Sequence, residues 1–381
     1  MLYHLFVPLA RRFTFLNVFN YITFRAAAAA VTALVLAVVV GPIIIRLLQE
    51  KAFHQPHREG TPDTHKTKAA TPTMGGLIIL FCSIVSVLLW ARLTSHYTWL
   101  ALAVTAWMGG IGFLDDVLKL KQKRAGQKNQ GLVERYKLIG QLIIGVFLGW
   151  YLWKFPLSPN LPGASTTLPF YKYVLVVAAA PWLEPLYVLF TTFILVGVSN
   201  AVNLTDGIDG LAAGTSAIAF MTLGVFAYVI GRIDTSQYLG VFYLVNAGEL
   251  TVFCAAMVGS LIGFLWFNTY PAQVFMGDTG ALALGGGLGA VAILLKSEFL
   301  LLFVGFVFMI ETLSVLGQRY VFKYRRKRHG LEYAQKNRLL LRAPLHHHLE
   351  VKGWHESQVV VRFWIIQILF CVLALSTLKL R

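Results

Sequence analysis

Apolar runs of about twenty residues recur from one end of this chain to the other, and that length is what a helix needs to cross a hydrocarbon layer roughly 30 Å thick. They fall at about 22–46, 74–93, 98–117, 134–153, 186–204, 211–230, 248–267, 279–295, 298–320 and 359–379. With 57% hydrophobic and only 13% charged residues, the chain reads as all-α: a polytopic integral membrane protein of about ten transmembrane helices, one membrane-embedded domain spanning 1–381. The first 25 residues carry Arg11, Arg12 and Arg25, but the run Ala26–Leu48 is long and lacks a small-residue cleavage site, so it reads as a retained first span. Residues 154–172, rich in proline, read as an outer hairpin or loop, and Val174–Leu183 is too short to span and is expected in the outer interface. Cys82, Cys254 and Cys371 all lie inside apolar runs without metal-ligand spacing, which predicts packing rather than disulfides or zinc.

Lysine and arginine set the orientation. Residues 46–72 hold 5 of them, 118–137 hold 7 and 319–358 hold 10. The positive-inside rule makes those segments cytoplasmic and places both termini outside. The same parity brings the short connections 205–210 and 268–278 to the cytoplasmic face.

Acids are scarce, 17 against 33 Lys and Arg, yet several sit at the ends of apolar runs. A carboxylate at the bilayer centre costs about 3 kcal/mol on insertion scales, and near an interface it still needs partners, so such clusters point to chemistry. The third run ends in Gly109-Gly-Ile-Gly-Phe-Leu-Asp115-Asp116, with Lys119 one turn on. Adjacent helical residues point about 100° apart, so the two acids cannot hold one ion identically and their roles should differ. The fifth run ends with Asn200, Asn203, Asp206 and Asp209 at three-residue spacing, a polar ridge if the helix continues, with Gly207 and Gly210 releasing the backbone into a turn. Ahead of the eighth run come Asn268, Phe275 and Asp278. Asp278 precedes a glycine-rich helix start whose free N–H groups suit phosphate, beside an acid able to hold Mg²⁺.

Two basic elements complete the set. Lys68 precedes the second run, and His346, His347 and His348 lie in the largest basic segment. Three consecutive imidazoles cannot all turn to one metal, so a phosphate or nucleotide contact fits them better than zinc. The run Lys323–Arg328 fits contact with anionic lipid head groups. Together the residues imply phosphoryl transfer at the cytoplasmic membrane surface, with carboxylate oxygens holding Mg²⁺ across a diphosphate and lysines neutralising charge. No GxxxxGK[ST] loop or kinase signature is present, so a diphosphate donor is expected rather than a nucleoside triphosphate.

At these residues the chain resembles the polyprenyl-phosphate N-acetylhexosamine-1-phosphate transferases. The likeness runs through Pro72–Gly76, Asp115-Asp116, Asn200–Gly210, Asn268–Gly280, Ala343–His348, Lys352-Gly353-Trp354 and Arg362-Phe363-Trp364. It is strongest to the branch that, with Mg²⁺, takes phospho-MurNAc-pentapeptide from UDP-MurNAc-pentapeptide to undecaprenyl phosphate, making lipid I and UMP in the bacterial cytoplasmic (inner) membrane. Position by position, the resemblance implies that Asp278 is a Mg²⁺ ligand and that Asp115 and Asp116 serve catalysis, Asp115 deprotonating the lipid phosphate. It implies further that Lys68, Lys119, Asn203, Asp206, Asn268 and His347 line the nucleotide and phosphate site, with Phe275 stacking on uracil. Lys137 is favoured over Lys128 as the loop lysine reaching the donor, and Asn200, Asp209, Gln318, His346 and His348 complete the candidate set. Residues 121–131 and 325–338 depart from the family in looking longer than expected. The partners implied are the UDP donor, the lipid acceptor and the bilayer, with a homodimer compatible and no nucleic acid expected. Residue types leave open direct attack or a phospho-aspartyl intermediate, and direct attack is expected.

Two rival readings share the acids: a sister transferase of GlcNAc-1-phosphate, and an ion-coupled transporter, whose acids should lie near the bilayer midplane rather than at one face.

Overall fold

The structure is a computed structural model and describes residues 1–50, 71–124, 131–159, 161–171, 174–176 and 184–379. Helix α1 (Leu2–Leu9) leads to α2 (Ile22–Glu50), α3 (Gly76–Trp90), α4 (His96–Arg124) and α5 (Glu134–Lys154). A small antiparallel hairpin follows, β1 (Ser165–Thr167) with β2 (Val174–Val176), Thr166 facing Leu175. Then come α6 (Glu184–Thr205), α7 (Leu211–Ile230), α8 (Ile233–Leu239), α9 (Glu249–Asn268), α10 (Gly277–Leu294) and α11 (Leu301–Val304). The chain closes with α12 (Phe306–His329), α13 (Leu331–Lys336), α14 (Leu345–Val351) and α15 (Glu356–Ser376).

Nine of the ten apolar runs expected from the sequence each coincide with one helix. Among the described residues 8 helices are long and apolar enough to cross a membrane, or 9 if a bent pair counts as one span, while α3 with 15 residues is shorter. The protein is a multi-pass, mostly helical membrane protein.

Three expectations need correction. The run 298–320 is broken: Glu298–Val304 and Phe306–His329 meet at 85° around Gly305. Backbone groups freed at a break inside a membrane must be satisfied by neighbours, and Gln367 of α15 does this on both sides, donating from Nε2 to Val304 O and accepting the N–H of Val307 at 3.2 Å. Second, α4 and α12 continue past residues 117 and 320 to Arg124 and His329, so the basic segment 319–358 holds the end of α12 and all of α13 and α14 rather than an open loop. Long charged side chains favour helix once the chain has left the apolar layer. Third, residues 174–176 pair as a strand with β1, so a small hairpin is added to the all-α reading.

Helix α10 is the axis of the bundle. Every residue from Gly277 to Leu294 is buried except Asp278. Small residues permit that enclosure. A Cβ on Gly112 of α4 would stand 2.1 Å from the Asp278 carbonyl oxygen, and one on Gly76 of α3 would stand 2.1 Å from the Gly280 nitrogen. Along α2, Ala26, Ala29, Ala33, Ala37 and Gly41 form the buried stripe toward α9, where a Cβ on Gly259 would reach within 2.0 Å of Ala30 O.

The end of the bundle away from Asp278 is tied by buried charges. Arg25 grips Glu249 with two 2.7 Å hydrogen bonds at 2% and 6% side-chain exposure. Lys296 donates to Tyr187 Oη at 2.8 Å and to the Gly163 carbonyl, and its own carbonyl accepts the Thr167 N–H at 2.8 Å, clamping the hairpin onto the end of α10.

Candidate active site

Two helix ends meet at the other pole, the last turns of α4 and the first turn of α10. Asp115 and Asp116 both arrive buried, at 2% and 3% exposure, yet point to different partners. Asp116 Oδ2 accepts the backbone N–H of Thr279 at 2.9 Å and its hydroxyl at 2.7 Å, and Oδ1 accepts the N–H of Asp278 at 3.3 Å. It therefore caps α10 from another helix, where unpaired N–H groups and the positive end of the dipole favour an acid. The N–H groups read from the sequence as free for phosphate are, at these two residues, donated to Asp116.

Asp115 takes other partners. Its Oδ1 accepts the Leu132 N–H at 2.6 Å, and Oδ2 lies 2.7 Å from Lys119 Nζ, one helical turn away. The chain passes over it at Gly131, whose φ of +64° suits glycine and where a Cβ would stand 2.6 Å from Oδ1. Asp278 completes the group, with Lys119 Nζ at 2.8 Å and Lys137 Nζ at 2.6 Å from Oδ2. Lys137 also stands 3.7 Å from Asp115. Of the two lysines weighed from the sequence, Lys137 reaches the acids, while Lys128, like Lys68, lies outside the described residues.

One oxygen from each of Asp115, Asp116 and Asp278 lies within 4.8 Å of the others, the one acidic group among the described residues with spacing for a metal ion. Hard carboxylate oxygens are the donors Mg²⁺ takes, commonly one or two from protein with the remainder from phosphate and water. The two ammonium groups resting on Asp115 and Asp278 show how much positive charge this point attracts. The donor set fits a divalent cation.

The expected ridge of four polar residues is interrupted. Helix α6 ends at Thr205, so only Asn200 and Asn203 lie on it, and Gly210 at φ +80° turns the chain into α7. Asn200 donates to Gln141 Oε1 of α5 at 2.8 Å, a bond between helices. Asn203 is partly exposed. Asp206 lies in the turn; burial pushes its carboxyl up to about 8, with the carboxylates of Asp278, Asp116 and Asp209 adding to the effect, although part of the side chain meets solvent. Asp209 Oδ2 accepts the N–H of Ala272 at 3.1 Å, and its own N–H goes to Glu356 Oε1 at 2.7 Å. Asn268 is used at both ends, accepting from Gly210 N at 3.0 Å and donating to Val274 O at 2.9 Å. Asp209 and Asn268 thus weld the turn after α6 to the turn after α9. Phe275 stands partly exposed beside them, its backbone paired with Pro72 and Gly75.

The three histidines differ in their surroundings. His346 is wholly buried, its Nδ1 3.2 Å from Glu311 Oε2 on α12 but neither ring nitrogen in a hydrogen bond. His347 Nδ1 lies 2.7 Å from Glu350 Oε2, and burial lowers its pKa against the opposing pull of Glu350. His348 Nδ1 accepts the N–H of Leu341 at 3.1 Å. Gln318 Oε1 accepts the N–H of Leu340 at 2.9 Å, holding the approach to the histidines.

Several residues of this network were not singled out in the sequence. Glu311 carried a usable signal, a lone acid inside an apolar run, the mark of an intramembrane functional residue. Thr279, Gln141, Gly131 and Glu356 carried none, because their importance lies in which distant backbone or side chain they meet.

A relative from Gemmatimonas aurantiaca named phospho-N-acetylmuramoyl-pentapeptide-transferase is 68% identical over 381 residues, covering 100% of both chains. The chain belongs to this family. Relatives of the same name from Syntrophus aciditrophicus, 48% identical and covering 100% of both chains, and from Chloroherpeton thalassium, 47% identical over 96% of this chain and 95% of the other, agree. The model of glycosyl transferase family 4 matches residues 98–296, a stretch that holds Asp115, Asp116, Lys119, Lys137, the turn after α6 and Asp278. As a member of the family, this chain is a phosphoglycosyl transferase. The histidines and Glu311 fall beyond the matched stretch but within the part shared with the full-length relatives.

Proposed function

We propose that the chain transfers phospho-MurNAc-pentapeptide from UDP-MurNAc-pentapeptide to undecaprenyl phosphate, in a Mg²⁺-dependent reaction that makes lipid I and UMP. The observation that carries the reading is the meeting of Asp115, Asp116 and Asp278 with Lys119 and Lys137 at one end of the bundle. The family's printed name supplies the donor class. The lysine and arginine distribution supports a cytoplasmic active face with both termini outside, and the family resemblance supports about ten spans in the bacterial inner membrane.

In the reaction, an oxygen of the lipid phosphate attacks the phosphorus bearing the sugar. A new P–O bond forms, the P–O–P bridge of the UDP donor breaks, and UMP leaves with the bridging oxygen. Asp115, beside Asp278 and Lys119, would hold or take the proton of the lipid phosphate. Lys119 and Lys137 offset charge on the diphosphate, and Asp116 keeps Asp278 fixed by capping α10. A bound Mg²⁺, held by Asp278 with Asp115 and Asp116 in reach, would neutralise the diphosphate and make UMP a better leaving group. In this reading Phe275 stacks on uracil, and His347, Asn203 and Asp206 contact the nucleotide and phosphates. Direct in-line attack needs only these groups, so no covalent enzyme intermediate is proposed.

The test offers the detergent-solubilised protein undecaprenyl phosphate and Mg²⁺ with either UDP-MurNAc-pentapeptide or UDP-GlcNAc and measures UMP. Release with the first donor alone is expected. Release only with UDP-GlcNAc would reassign the substrate, and no release with either would end the reading.

A further inference from the structure

Glu311 sits on α12 with 0% of its side chain exposed. Its Oε2 accepts the N–H of Leu345 at 2.9 Å and its Oε1 accepts the N–H of His346 at 3.1 Å, so one carboxylate holds the first turn of α14 by two backbone groups. His346 Nδ1 stands 3.2 Å from the same Oε2. On the far side of the ring the chain is glycine: a Cβ on Gly207 would lie 2.2 Å from Nε2 and 2.8 Å from Cε1. The imidazole is thus gripped between α12 and the turn that carries Asp206 and Asp209.

A carboxylate is the side chain that offers two acceptor oxygens and no donor, which is what two parallel backbone N–H groups require. Burying such a charge is costly unless those bonds are made. We infer that Glu311 is a positioning residue for phosphoryl transfer: it fixes the segment His346–His348 against the turn Asp206–Asp209, and acts on the reaction through the placement of His347 rather than by touching substrate. The inference rests on the transferase reading above. Glutamine cannot replace it, because its amide would turn an N–H toward one of the two backbone donors.

The experiment is a double-mutant cycle with Glu311→Gln and Gly207→Ala, which displace the His346 ring from opposite sides. A displacement near 1 Å at a reacting site costs about 100-fold in turnover, and each single variant is expected to lose kcat on that scale with the wild type as reference. If both act through the same ring, the double variant falls no further than the worse single. Losses that multiply, or wild-type kcat in either single variant, overturn the proposal. Amide hydrogen exchange of residues 345–351, read in the same samples, does not depend on activity: faster exchange in Glu311→Gln is expected, and unchanged protection overturns the proposal. Should Glu311→Gln fail to fold, Gly207→Ala leaves α12 untouched and decides by its own kcat. UMP release by the wild type tests the transferase reading separately.

Discussion

Asp116 caps α10 through Thr279, taking that residue's N–H at 2.9 Å and its hydroxyl at 2.7 Å on one oxygen. Its neighbour Asp115 meets Lys119 and the Leu132 N–H instead. Two acids adjacent in sequence therefore do different work, one holding the helix that presents Asp278, the other holding Lys119 and the backbone at Leu132. Asp116→Asn should lower the thermal midpoint by an amount equivalent to about 1–2 kcal/mol, as loss of a helix cap does, together with turnover. Thr279→Val, which replaces the hydroxyl by a methyl group, should cost about 1 kcal/mol. Turnover lost from Asp116→Asn with no change in midpoint would assign Asp116 to the chemistry directly.

Asp278→Asn keeps a polar group of the same shape but removes the charge that draws Lys119, Lys137 and a divalent cation. UMP release should fall by more than about 100-fold, while size-exclusion behaviour and helix content stay those of the wild type. Normal turnover with normal Mg²⁺ dependence would count against the site.

Gly131 arches over Asp115 in a left-handed conformation. Gly131→Ala sets a Cβ 2.6 Å from Asp115 Oδ1 in a region that costs an L-residue about 1–2 kcal/mol. Turnover should drop by at least about 10-fold, and the effect should be larger on kcat than on thermal midpoint, because the crowded atom belongs to the reacting group.

Burial holds His347 below its ordinary value of 6.5, and Glu350 pulls the other way. The neutral imidazole therefore persists to lower pH than usual, and the acid limb of kcat/KM attributable to it should lie under 6.5. Glu350→Gln removes the group that favours the imidazolium, so the limb should move further down. A pH–rate profile that moves upward in this variant would contradict the assignment.

Arg25 and Glu249 test the far end of the bundle. Breaking a buried pair leaves one charge unpaired and costs about 3–5 kcal/mol, whereas replacing both by apolar residues is often neutral. Arg25→Met or Glu249→Leu alone should lower the thermal midpoint steeply, and the double replacement should recover most of it, with turnover per folded molecule unchanged.

Much of this arrangement was legible in the chain. Apolar runs of membrane length located the helices, and acids at the ends of such runs located Asp115, Asp116 and Asp278, because lipid makes a charge without a partner too costly to keep. The rest was not legible. The break at Gly305 depends on Gln367, sixty-two positions later in a different helix. The ridge extrapolated from Asn200 to Asp209 stops at Thr205, because a three-residue spacing cannot say where a helix ends when glycines follow it. Helical periodicity likewise could not separate Asp209 and Asn268, which bond backbone across two turns, from residues that face a ligand.

By itself, then, the sequence determined that the chain lives in a bilayer, where its apolar helices fall, and that acids and lysines cluster at segment ends, since solvation energy acts on each segment whatever its neighbours. Only the tertiary structure decided which oxygen meets which partner: that Asp116 caps α10, that Asp115 and Asp278 share Lys119 and Lys137, and that Glu311 and Gly207 close on His346. Hydrogen bonds and steric contacts act over a few ångströms, and those ångströms exist only once the helices are packed.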